Sequence, residues 1–229
     1  MDNEIISYME MCRREGVSLQ RGMNFELGLN HSVILMSVRP NAPYVDKFED
    51  DGTTIIYEGH DVPRTMNCPD PKKVDQCREL SSGKLTENGK FFEAAMGVKK
   101  GLRDPERVRV YEKIKSGIWS YNGVFHLVDS WPEASAGRKV FKFKLIAVRG
   151  EEDLAQPVSR NAEPRRIIPT RVKLFVWKRD GGKCVKCGAT EDLHFDHIIP
   201  WSKGGSSNTP DNIQLLCGKH NLEKHDKIE

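Results

Sequence analysis

The chain has 229 residues, 38% of them hydrophobic, enough for one or two domains with cores of their own. Its net charge of +3 does not mark the whole chain as a nucleic-acid binder, but the surplus is uneven: residues 165–229 hold twelve Lys/Arg against eight Asp/Glu, net +4, which leaves the rest at about −1. Six cysteines, three of them outside any pattern, argue against a disulfide framework and for a reducing cytoplasm, and the acidic start Met1-Asp2-Asn3-Glu4 with no long apolar run reads as neither a signal peptide nor a membrane span.

Ile5, Tyr8, Met9 and Cys12 recur at helical spacing before Gly16, so residues 4–15 read as a short amphipathic helix. Strand signals follow: the apolar run Ser32 to Val38, and the β-branched and aromatic run Thr53 to Tyr57 after an Asp50-Asp51-Gly52 turn. Pro40 and Pro43 bracket a loop leading into Tyr44-Val45-Asp46. Residues 61–83 read as a long loop whose Arg64, Lys72, Lys73 and Arg78 either enter a DNA groove or are simply solvated. Thr86 caps a helix with Phe91, Phe92, Ala95 and Met96 on its packed side. Arg107 to Tyr111 alternates as a half-buried strand, and Phe141 to Leu145 as a strand with one wet face. Between them, Asn122-Gly123 is the strongest hairpin signal in the chain. Residues 151–169 carry Pro157, Pro164 and Pro169 without apolar periodicity, a semi-stiff linker. Thr170 is the expected N-cap of a helix packing through Val172, Phe175 and Val176. The organisation expected is a domain over 1–150, a linker over 151–169 and a second domain over 170–229, folding independently.

Two patterns interleave between Cys184 and Lys224. The outer one is Cys184-x2-Cys187 with Cys217-x2-His220, soft ligands in two knuckles, the set of a closed tetrahedral zinc site. With all four positions filled such a zinc activates no water, so its role is structural. The inner pattern is Asp196-His197, Asn212 and Asn221. A neutral imidazole titrates near working pH and can take a proton from water. A carboxylate with an amide oxygen leaves coordination positions on Mg²⁺ or Mn²⁺ for water and phosphate. The bland alternative is a zinc knuckle that only binds DNA.

The order D-H, G-G, N, C, N, K within residues 170–228 resembles the HNH nuclease family, whose ββα-metal fold is a hairpin followed by a helix. The resemblance implies His197 as general base, Asp196 as ligand of the catalytic Mg²⁺ or Mn²⁺, and Asn212 as holder of the loop that orients His197. It implies Asn221 as second metal ligand, in a position usually His, with His225 one turn later as its competitor. Lys224 would contact a DNA phosphate.

Residues 21–148 resemble the SRA (YDG) domain at three places. These are Asp51-Gly52 through Tyr57-Glu58-Gly59, then Lys84-Leu85-Thr86, then Tyr121-Asn122-Gly123 through Trp131-Pro132-Glu133 with the tail Val140 to Leu145. Asn122 stands where that family has Asp. The resemblance implies a twisted β-barrel that flips a modified cytosine into a pocket of aromatic faces and one carboxylate. By motif position Tyr57 is one stacking face, Tyr44 the second, and Asp46 the acceptor for the cytosine amino group, with Phe48 in reserve. His31, His60 and His126 sit in no metal spacing and take ordinary structural roles; Trp119 and Trp131 read as barrel core.

The fold class expected is α+β: an SRA-like twisted β-barrel with flanking helices, followed by a small zinc-stapled ββα-metal HNH domain. The two resemblances together imply a modification-dependent restriction endonuclease that cleaves double-stranded DNA carrying 5-methylcytosine or 5-hydroxymethylcytosine, as a homodimer, with structural zinc and catalytic Mg²⁺ or Mn²⁺. Two alternatives stay open: a non-catalytic reader of modified DNA, and an HNH nickase indifferent to modification.

Overall fold

The computed structural model describes residues 3–28, 31–49, 52–66, 68–148, 167–225 and 227–228. Its first element corrects the sequence reading. Glu4–Ser7 is a strand, β1, and only Tyr8–Glu15 is helical, α1. The division falls at Ser7, whose hydroxyl accepts from Glu10 N while the Glu10 carboxylate accepts from Ser7 N, a closed capping box. The β-branched Ile5 and Ile6 before that cap join a sheet instead.

Strands β2 (Met23–Gly28), β3 (His31–Met36), β4 (Lys47–Glu49) and β5 (Thr54–Glu58) precede helix α2 (Glu87–Lys99). As expected, Thr86 caps α2 by accepting from Gly89 N. Strands β6 (Glu106–Lys115), β7 (Ile118–Ser135) and β8 (Arg138–Ala147) follow. Beyond residue 166 come α3 (Thr170–Arg179), β9 (Leu193–His197), β10 (Ile213–Cys217) and α4 (Gly218–Lys224).

All ten strands belong to one sheet, in the order β10-β9-β1-β7-β6-β3-β2, with β8, β5 and β4 branching from β7. Among the described strands only the β3–β6 pair is parallel. The branching follows from the length of β7: its first part pairs with β1 and β6, its last part with β8. The two wings wrap α2. Phe91 of α2 meets Phe25 of β2 edge-on at 5.3 Å and Phe143 of β8 at 5.8 Å. The main core lies between these surfaces, with Tyr57, Phe125 and Leu127 fully buried.

Asn122-Gly123 is not a hairpin. Both residues lie inside β7, and the tight turns fall at Ser116-Gly117 and Ala136-Gly137. Gly123 has φ +87° where the β6–β7 register shifts, so the glycine supplies the left-handed residue of a bulge rather than of a turn. Asn122 is 2% exposed and bonded within the protein.

Residues 151–166 of the expected linker lie outside the described residues. Its end is not linker at all: Ile167 sits in the main barrel core, and Ile168 in a second core with Val172, Val176, Phe195, Ile213 and Leu215. Pro169, not Thr170, occupies the N-cap position of α3, because the Thr170 hydroxyl is taken by Glu112. Phe175 is exposed, so α3 packs through Val172 and Val176, one turn apart. No described helix is long and apolar enough to cross a membrane.

Candidate active site and base pocket

The hairpin β9–β10 and helix α4 form the ββα unit expected of the C-terminal pattern. Cys184, Cys187, Cys217 and His220 come together, their ligand atoms all within 4.8 Å of one another. Zn–S near 2.3 Å and Zn–N near 2.0 Å in a tetrahedron require edges of about 3.8 Å and about 3.5 Å. Cys187 and Cys217 sulfurs are 3.8 Å apart, and His220 Nδ1 is 3.4 Å from Cys184 Sγ and 3.3 Å from Cys217 Sγ. The residues fit zinc. Burial opposes ionisation of the Cys184 thiol, but backbone N–H groups of Cys217, Cys187 and Lys186 and the His220 ring outweigh it and favour the thiolate a metal needs.

Asp196 and His197 end β9, opposite Gln214 and Ile213. Asp196 Oδ2 accepts from Gln214 Nε2 at 3.2 Å and pairs with Lys224 Nζ at 3.1 Å. Lys224 also donates to the His197 carbonyl at 2.7 Å and is 1% exposed. This corrects its reading as a phosphate contact: the ammonium is turned inward to hold the carboxylate and the strand end, and a group this buried does not meet a DNA backbone. His197 Nε2 lies 2.9 Å from Ser207 Oγ, which is buried. Asn212 bridges the intervening loop. Its Oδ1 accepts from Ile199 N at 2.8 Å, and its Nδ2 donates to Ile199 O and Ser206 O, both at 3.1 Å. The loop closes on Gly205, where a Cβ would sit 1.7 Å from Ile199 O. Asn221 lies on α4 three residues before Lys224, hence on the helix face that Lys224 turns towards Asp196. His225 is exposed beyond the helix end, with φ +47°. His194 points elsewhere, its Nε2 3.1 Å from Asp192 Oδ1.

On the barrel, a cavity of about 380 Å³ is lined by Tyr44, Asp46, His60, Arg21, Arg39 and Trp119, among others. The expected acceptor Asp46 is 8% exposed, and its two oxygens accept from Ser37 N and Glu58 N, each at 3.0 Å. Burial pushes its pKa up to about 7 against those two hydrogen bonds, and the Glu58 carboxylate adds to the rise. Tyr44 is half-buried on the cavity wall. Tyr57 is not on it. Its ring is 0% exposed in the barrel core, and its hydroxyl donates to Gly22 O at 3.1 Å and meets His60 Nε2 at 2.9 Å. The face opposed to Tyr44 belongs instead to His60, whose ring stacks on it at 5.1 Å and 9°. Burial pushes the pKa of His60 down to about 4, so the ring is neutral near pH 7. Asn88 fixes the His60 backbone by accepting from its N–H and donating to its carbonyl, both at 2.8 Å. Phe48 packs against the main core. Trp119 does double service, in a buried cluster and on the cavity wall.

Ser207, Gln214 and His60 are the residues the sequence reading missed. Ser207 follows the Gly204-Gly205 pair and His60 follows Tyr57-Glu58-Gly59, so position beside a motif was the available signal. For Gln214 there was none, since its place opposite Asp196 depends on strand register.

Several known proteins and one family model match parts of the chain. The family model described as HNH endonuclease matches residues 184–227. The histone-lysine N-methyltransferase family member SUVH9 of Arabidopsis thaliana is 26% identical over 160 residues, 67% of this chain and 23% of that protein. The chain thus spans about a fifth of the length of the curated relatives it matches. Among solved structures, the SRA domain of SUVH5 in complex with hemi-methylated CG DNA is 26% identical, over 66% of this chain and 89% of that one, with a TM-score of 0.44. The modification-dependent TagI restriction endonuclease is 17% identical, over 99% of this chain and 78% of that one, with a TM-score of 0.43. Residues 184–227 are an HNH endonuclease domain, carried by a chain of the α+β class.

Proposed function

We propose that the chain is a modification-dependent restriction endonuclease: the barrel holds a flipped 5-methylcytosine or 5-hydroxymethylcytosine, and the HNH unit hydrolyses a phosphodiester of the same double-stranded DNA. What carries this reading is that one sheet bears both a cavity with an aromatic wall and a carboxylate, and the Asp196-His197 pair. In the cavity, Asp46 offers an acceptor for the amino group of the base beside the stacked Tyr44 and His60 rings, while Arg21 and Arg39 at the wall suit flanking phosphates. Tyr57 supports the pocket from behind, through its contact with His60.

In the HNH unit, the tautomer in which His197 Nε2–H donates to Ser207 Oγ has the ring's lone pair on Nδ1, the atom that would take the proton of the attacking water. Asn212 keeps the loop that holds Ser207 in place. Asp196 and Asn221 would hold Mg²⁺ or Mn²⁺, a carboxylate and a carboxamide on facing elements suiting a hard cation. The metal, when bound, neutralises charge on the leaving oxygen. Lys224 holds Asp196 in position and offsets its charge until the cation arrives. Zinc in the four-ligand knuckle stays structural. The products are 5′-phosphate and 3′-hydroxyl ends. One site makes one nick, so cutting both strands calls for a homodimer or a second visit.

The test is a set of duplexes identical except for one cytosine, incubated with divalent metal or with chelator. Cutting confined to the modified duplexes and abolished by chelator is the expected result. Binding without cutting would leave a reader; equal cutting of all duplexes would leave an unselective nickase.

A further inference from the structure

Among the contacts of the described residues between the barrel and the nuclease unit, two fix register. The first is β1. Glu4 pairs with Tyr121 of β7 on one side and with His194 of β9 on the other. Asn3 N donates to Tyr121 O at 2.8 Å, and Asn3 O accepts from Phe195 N at 3.1 Å. The period of two along a strand then divides its side chains: Ile6 is buried in the barrel cluster of Met11, Tyr111 and Tyr121, and Ile5 packs on both nuclease clusters.

The second contact is a buried charge cluster. Lys173 of α3 and Glu112 of β6 are both 0% exposed, with Nζ 2.8 Å from Glu112 Oε2. Lys173 Nζ also donates to Asn122 Oδ1 at 2.6 Å, and Asn122 Nδ2 donates to Glu112 Oε2 at 3.0 Å. Thr170 donates to the other Glu112 oxygen. As a source of stability such a pair is poor, because removing two charges from water offsets most of their attraction. As a register device it is strong. Any slide or rotation of α3 on β6 and β7 would leave a buried charge without its partner. It also gives Asn122 a reason: an aspartate there would set two carboxylates against one ammonium.

We infer that Lys173, Glu112 and Asn122 are positioning residues that, with β1 as a clasp, lock the nuclease unit onto the barrel in one register, so that the cut falls at a fixed distance from the base the barrel holds. The distance part rests on the function proposed above; the lock does not.

The lock is tested without DNA. A site-specific protease sequence is inserted between Gln156 and Pro157 of the full chain, and the cleaved protein is run on gel filtration. The two fragments are expected to elute together; their separation under native conditions would overturn the clasp and the lock. The distance is tested on a long duplex with one modified cytosine. The parent protein is expected to cut at a single phosphate or its neighbour on each strand. In the double variant Glu112→Leu with Lys173→Met, which exchanges the pair for apolar groups, affinity for the modified duplex should stay within about twofold while the cut positions spread. Asn122→Asp, which keeps the side-chain size, should spread them as well. A window in both variants as narrow as the parent's, or a broad window in the parent, would overturn the positioning role. If no modified duplex is cut at all, the proposed function fails, and co-elution of the fragments still decides the lock.

Discussion

The barrel and the nuclease unit both hold buried polar groups in fixed positions, and they do it by different means. In the barrel, Asp46 and His60 are held by backbone amides and by Asn88, over a core that includes Tyr57, Phe91, Phe125 and Phe143. The nuclease unit has two five-residue strands, a ten-residue helix and a seven-residue helix, a small core for holding Asp196 and His197 by packing alone. Cys184, Cys187, Cys217 and His220 gather at one end of it, where they fit zinc, and borrowed contacts fix the other, through β1 and through Glu112. A large core lets a site be built from ordinary side chains; a small one needs a metal and a neighbour. The barrel should therefore outlast the nuclease unit under perturbation, and the reverse should not hold.

The largest test of that contrast is Cys217→Ser. Structural zinc contributes apparent binding free energies of about 10–16 kcal/mol in zinc-finger peptides, so losing one thiolate should melt the nuclease unit and leave the barrel folded. Metal analysis with a thermal melt reads this out as lost zinc and a new low-temperature transition. A single transition at the parent temperature with one zinc retained would refute the ligand set.

Next is His197→Ala. Removing a general base lowers the rate by about 10²–10⁴-fold and should change affinity for DNA by less than about twofold. Single-turnover cleavage alongside equilibrium binding separates the two, and near-parental cutting would sink the assignment.

Within the barrel, Tyr57 and Tyr44 sharpen the difference between core and pocket. Tyr57→Ala empties a fully buried site and should cost about 3–5 kcal/mol of stability, seen by chemical denaturation. Tyr44→Ala, which removes a half-buried ring stacked on His60, should cost less stability than Tyr57→Ala and lower the preference for modified over unmodified duplex by about 1–3 kcal/mol. Equal losses of preference and stability in both variants would mean that Tyr44 is core as well.

The smallest effect concerns pH. The folded pKa of Asp46, about 7, lies above the unfolded carboxylate value, so the stability linked to it is fully present below the unfolded value and is lost as pH rises through about 7. Binding should run the other way, since the ionised carboxylate is the acceptor for a cytosine amino group. Preference for the modified duplex should rise between pH 6 and pH 8, roughly as the fraction of ionised Asp46, and Asp46→Asn should flatten the profile. His60, with its pKa near 4, stays neutral throughout and does not confuse the reading. A parental profile that is already flat would remove Asp46 from the pocket chemistry.

Sequence by itself determined the groups whose geometry is local. Cys184-x2-Cys187, Cys217-x2-His220 and Asp196-His197 are short spacings, and a knuckle or a strand end leaves few ways to arrange them; the structure brings them together as their order implied. The N-cap of α2 and the strands β3, β5 and β8 were legible for the same reason, since capping and alternation act over a few residues. Tertiary structure decided what depended on a distant partner. Asn122-Gly123 has the chemistry of a turn, yet Lys173, 51 residues away, makes Asn122 a buried acceptor inside a strand. Lys224 has the chemistry of a phosphate contact, yet Asp196 and the His197 carbonyl turn it inward. Tyr57 lies in a base-pocket motif, yet core packing and the Gly22 carbonyl hold it behind the pocket wall. Ile5 and Ile6 fit a helix by spacing, but edges offered by β7 and β9 made them a strand. A polar or β-branched side chain takes its conformation from the partner that satisfies it when buried, and where that partner is far along the chain only the folded protein brings the two together.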